Sequence, residues 1–96
     1  MELSKGIKVT SFFPGRVRLH VAELKHAPAL ATMAEQELAK VPGIKRVETN
    51  AALGSMLILY DRRALAQPTS AQSLLSILDT LFPGHDFARL SHWLTG

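Results

Sequence analysis

The chain has no cysteine. That one absence removes disulfides, thiolate metal sites and thiol nucleophiles together. It also has no apolar run near the roughly 18 residues that a bilayer-spanning helix needs. The opening Met-Glu-Leu-Ser-Lys-Gly has no basic flank leading into an apolar stretch, so no secretory leader is expected, and the cytoplasm is the expected compartment. There is no internal repeat and no low-complexity segment. Neither sign of charge dominates: 11 Lys and Arg against 8 Asp and Glu leave a net +3, enough only for weak attraction to an acidic partner. What is present is ordinary globular composition, 47% hydrophobic and 20% charged over 96 residues, which predicts a single domain over 1–96.

The pattern is clearest from Pro42 to Asp61. Pro42-Gly43 stops a helix, because proline has no N–H and glycine accepts the left-handed cap. Val47 and Thr49 alternate with Glu48 and Asn50, the period of a half-buried strand. Asn50 to Gly54 carries turn chemistry. Met56 to Tyr60 is an apolar run of strand length. Upstream, Arg16 to Val21 alternates most cleanly, with Val17, Leu19 and Val21 inward and Arg16, Arg18 and His20 outward. Gly6 to Phe13 reads as an earlier strand, with Ile7, Val9, Ser11 and Phe13 on one face and Lys8, Thr10 and Phe12 on the other. Pro14-Gly15 turns between the two.

From Pro28, a residue suited to a first helical turn, Leu30, Met33 or Ala34, Leu38 and Val41 recur at helical spacing. Asp61 to Pro68 reads as a polar, basic connection. Thr69 or Ser70 caps a second helix with Leu74, Ile77 or Leu78, and Leu81 buried, stopped by Pro83-Gly84. Phe87, Leu90, Trp93 and Leu94 share one face of a short tail helix over 86–94, with Asp86 as its cap. The predicted class is α+β: a ferredoxin-like βαββα sandwich, an antiparallel sheet with two helices on one face. Its usual last strand is missing. The strand over 6–13 is placed to fill that gap beside the strand at Arg16, covering an edge that invites aggregation.

Leu38, Val41-Pro-Gly-Ile44, Val47, Asn50, Gly54 and Met56-Leu-Ile-Leu-Tyr-Asp61 resemble the second half of heavy-metal-associated domains, the small modules of copper chaperones and metal-pumping P-type ATPases. The resemblance covers about 16–80. That family's metal loop carries two cysteines separated by two residues. At its spacing those places fall near Ala27 and Leu30, neither of which ligates metal. Pro14-Gly-Arg-Val-Arg-Leu19 looks like the cysteine-free branch of the family. For that branch the resemblance implies the fold and a setting in metal transport or homeostasis, with no ligand set and no cofactor.

Four histidines are the only imidazoles. His20 and His26 are the candidate metal ligands, since neutral imidazole binds Zn, Cu or Ni, but spacing fixes no third ligand. Nucleic acid is not expected: the outward positions Arg16, Arg18, His20, Leu57 and Leu59 include no aromatic for base stacking. Acylphosphatases, which share the fold, use a strand-end arginine with an asparagine. Arg16 and Asn50 are present, but Ala22 to Ala27 contains no glycine to cradle a phosphate, and no catalytic residues are assigned.

Met56, Ile58 and Tyr60 should face the helices, which leaves Leu57 and Leu59 on the opposite face beside Arg18 and His20. Apolar residues framed by basic ones predict a partner-binding surface at Arg18, His20, Leu57 and Leu59, unless the Trp93 helix or the amino-terminal segment covers them. The function expected is a non-catalytic adaptor in metal transport or storage. Its partner is a protein, a metal-transporting P-type ATPase or a second copy of the chain, with membrane contact only indirect. A histidine-based metal carrier and an oligomerising structural protein are the alternatives.

Overall fold

In β3 (Arg16–Val21), Val17, Leu19 and Val21 are fully buried while Arg16, Arg18 and His20 are not. The alternation read from the sequence is therefore the pleat of a strand with one face on the core. A computed structural model describes residues 2–95, with the side chains of Ser91, Trp93 and Thr95 outside the description. Around β3 are β1 (Glu2–Ser4), β2 (Ile7–Phe13), β4 (Ile44–Asn50) and β5 (Ser55–Tyr60). The helices are α1 (Pro28–Leu38), α2 (Arg62–Leu65), α3 (Pro68–Leu81) and α4 (Ala88–Thr95), with a short 3-10 turn at Ala22–Leu24.

The five strands form one antiparallel sheet in the order β1-β2-β3-β5-β4. β3 and β4 are joined through α1 and lie on either side of β5. β2 lies on the free side of β3, where the sequence placed it. β1 extends the sheet by one more strand that the sequence pattern does not reveal. It has three residues, of which only Leu3 is buried.

The inward residues of the sheet share one core with the helices. Val17, Leu19, Met56, Ile58 and Tyr60 cluster with Ala31, Ala34 and Leu38 of α1, with Leu74, Leu78 and Leu81 of α3, and with Leu90 and Leu94 of α4. Each fully buried aliphatic of this kind contributes roughly 1.5–3 kcal/mol. Gly43 holds the junction of α1 and β4. Its φ is +98°, and a Cβ there would sit 2.8 Å from the Leu65 amide nitrogen of α2. Glycine meets both demands, the left-handed backbone and the close approach.

Three expectations change, one alternative is decided, and the tail helix read over 86–94 runs over Ala88–Thr95. A bulge between Val9 and Ser11 shifts the register of β2, so Phe12 opposes inward Val17 and packs on the core, while Phe13 opposes Arg16 and is 62% exposed. The alternation places these two phenylalanines the other way round; the extra residue, Thr10, flips every side chain beyond it. The Asp61–Pro68 connection contains α2. The Asp61 side chain accepts from the amides of Arg63 and Ala64 at 2.9 and 3.1 Å, and Leu65 is buried. α3 begins at Pro68, so Thr69 and Ser70 lie inside its first turn and do not cap it. Met33 is 51% exposed; Ala34 holds the core position on α1.

Candidate functional site

The outer face of the sheet is built in rows across the strands. Phe13, Arg16, Leu59 and Arg46 make one row by their pairing. Ser11, Arg18, Leu57 and Glu48 make the next, and Lys8, His20, Ser55 and Asn50 the third. Thus Arg18 and Leu57, named from the sequence, stand directly opposite each other, and Leu59 and His20 occupy the rows on either side. All four predicted partner-binding residues share this face.

Leu57 and Leu59 are only half-buried, and neither packs against the core cluster. The buried apolar residues described on α1, α3 and α4 all belong to that cluster, on the other side of the sheet. α4 packs against α2 and α3, so the tail helix does not lie over the leucines. The Trp93 side chain, invoked as a cover, lies outside the described side chains.

Sequence reasoning misses Phe13 as a member of this face. Only the bulge brings it there, and the polar pair Thr10-Ser11 gives no apolar alternation to reveal the slip. Charge on the face is uneven. Lys8, Arg16, Arg18 and Arg46 oppose Glu2 and Glu48, and Glu48 is already engaged by Arg46 at 3.1 Å. At the end of β5, burial pushes the Tyr60 phenol above its usual range; the Gly15 backbone and the Arg62 charge oppose this less strongly.

The other candidates separate. His20 is half-buried, and its ring lies over Gly54, where an added Cβ would meet it at 3.3 Å. His26 is exposed in a left-handed conformation, φ +63°. Among the described residues, no group of three or more His, Asp or Glu is placed to hold a metal ion. Arg16 pairs with Leu59 and Asn50 with Ser55, at opposite ends of β5, so the acylphosphatase-like pair is not assembled.

His85 makes a junction that no spacing reveals. Ser4 Oγ lies 2.9 Å from its Nδ1, and its Nε2 meets the Glu23 carboxylate. The ring thereby joins β1, the turn after β3 and the segment before α4.

The chain matches the heavy metal associated domain 2 family over residues 1–80. It belongs to that family, in a form without cysteine. The matched span takes in β1 and β2 as well as the part from Arg16 onward, and ends before α4. Neither the curated proteins nor the solved structures give a match. Membership carries a metal-associated role, yet the places of the family's thiol ligands offer no donor here. The residues near the family's ligand places, Ala27 and Leu30, have hydrocarbon side chains. No helix is long and apolar enough to cross a membrane among the described residues.

Proposed function

We propose that the chain is a non-catalytic docking module of a metal-transport or metal-storage system, acting through protein contacts on the outer face of its sheet. The observation that carries this reading is the pair Leu57 and Leu59. Two neighbouring leucines of β5 lie half in water on a face that, among the described residues, no helix packs against. Burial of a whole leucine contributes roughly 1.5–3 kcal/mol, so an assembly that completes their burial recovers part of that gain. Arg16, Arg18 and His20 frame them and supply orientation. A metal-pumping ATPase is the partner class that family membership favours.

The paired substitution Leu57→Glu with Leu59→Lys tests this. Both sites are on the open face, so circular dichroism should show a folded protein. Titration calorimetry against the soluble domains of a metal-pumping ATPase from the same source should give heat with the unaltered chain and none with the variant. Sedimentation of both proteins separates this from self-association: a drop from dimer to monomer in the variant marks a second copy as the partner. Equal binding and equal mass for the two proteins would remove the face from the mechanism.

A further inference from the structure

We infer that the segment docking on this face is acidic and leucine-bearing, and that it lies along β3 and β5. The inference rests on the docking reading above and adds the chemistry of the partner. Arg16 and Arg18 project from alternate positions of β3, one beside Leu59 and one beside Leu57. Among the described residues neither guanidinium makes an ion pair. Phe13 stands on the other side of Arg16, exposed through the bulge in β2. The face therefore offers two unpaired cations in line along β3, Arg16 between Leu59 and exposed Phe13, and Arg18 between Leu57 and Ser11.

The spacing selects a polypeptide. Residues two apart on a strand are separated by roughly 6.6 Å. Carboxylates repeat at about 6 Å on successive turns of a helix and at roughly 6.6 Å on one side of an extended chain. Either form sets acidic side chains over Arg16 and Arg18 while leucines reach Leu57 and Leu59.

Charge argues against a second copy. A two-fold axis along β5 stacks Leu57 and Leu59 on their own images but sets Arg16 against Arg46 twice, a repulsive arrangement. The same rotation brings Arg18 to Glu48, whose carboxylate Arg46 already holds. Depth argues against a lipid surface. The leucines are the half-buried floor of a flat face flanked by arginines, which side chains can reach and acyl chains cannot enter without stripping water from the guanidinium groups.

The test uses the full chain and a short fluorescein-labelled peptide with leucines on one side and glutamates flanking them. Its isomer carries lysines in place of the glutamates. The expected result is binding of the glutamate peptide alone, weakened by salt, with amide shifts confined to β2, β3 and β5. Arg16→Glu with Arg18→Glu should weaken it roughly tenfold or more and transfer preference to the lysine peptide. Arg16→Gln with Arg18→Gln should give a smaller loss without the transfer, and serves if the reversed-charge protein fails to fold.

Equal binding of the two peptides on this face would overturn the acidic assignment and leave the docking reading intact. Shifts on α1 or α3 instead would overturn both. Failure of the glutamate peptide to bind, with or without binding to phosphatidylglycerol vesicles, would also overturn the inference, and vesicle binding would make a lipid surface the occupant.

Discussion

The Glu35 carboxylate on α1 takes both the amide and the hydroxyl of Thr49 on β4, the amide at 3.0 Å. β4 is the outer strand on that side of the sheet, and its outward amides face no other strand. Glu35 therefore fastens α1 to the sheet and blocks part of an edge that would otherwise pair with another chain.

Glu35→Ala leaves the amide and the hydroxyl without their acceptor. The expected cost is about 1–3 kcal/mol in urea unfolding, with increased light scattering as the edge becomes available. Glu35→Gln keeps a carbonyl acceptor and should recover most of the loss. An alanine variant as stable and as monodisperse as the unaltered chain would show that the clasp contributes nothing.

Acid should weaken the start of α2. The backbone hydrogen bond from Ala64 holds the Asp61 carboxyl below its ordinary 3.8; the Arg63 amide and the charges of Lys45 and Arg63 add to this, against desolvation. A group depressed in the folded state contributes fully above its unfolded pKa. Asp61 thus contributes fully above about pH 3.8, and the contribution fades as pH falls from there through the lower folded value. Asp61→Ala should lower the Tm at neutral pH and flatten this acid limb. Thermal melts from neutral to strongly acid pH measure both effects, and parallel curves would refute the assignment.

Copper(I) should not be held tightly. This soft ion favours thiolate and thioether ligands. The chain has no cysteine, Met56 is fully buried, and Met33 stands exposed on α1. A competition titration against a strong Cu(I) chelator should leave the metal with the chelator. Stoichiometric capture by the protein would show that Met33 and the histidines assemble a site after all.

The amino-terminal hairpin should be indispensable to the fold. Deleting residues 1–13 removes Leu3, Ile7, Val9 and Phe12 from the core and bares the free side of β3. At roughly 1.5–3 kcal/mol for each fully buried aliphatic, the loss approaches the whole stability of a small domain. The remnant should aggregate or fail to melt cooperatively. In the intact chain, amides within 7–12 that lie in the β2–β3 pairing should exchange slowly. Exchange as fast as in a free tail would place the strand outside the folded unit.

Residues with one buried face were the legible ones. Val17, Leu19 and Val21 declare β3 because a shift of one residue would turn all three to water. Leu57 and Leu59 declared their outward direction by strict alternation with Ile58. Phe13 did not, because the bulge at the polar Thr10-Ser11 pair costs no apolar contact that a pattern would register. α2 has four residues and one buried side chain, Leu65, too little for any periodicity. The His85 junction joins residues 81 positions apart, Ser4 and His85, and no local spacing encodes it. The open face was thus half visible: its apolar floor in the sequence, its exposed Phe13 only in the fold.

The strand beside β3 comes from upstream, and this changes how the sheet closes. A strand following α3 would have to return across most of the domain to pair with β3. β2 needs only the turn at Pro14-Gly15. Each doubling of a loop adds about 0.6 kcal/mol of closure entropy, so the pairing here avoids several such increments. The contacts become local, and low contact order accompanies rapid folding. The β2–β3 ribbon, like the β4–β5 hairpin, can therefore form without waiting for anything downstream of it.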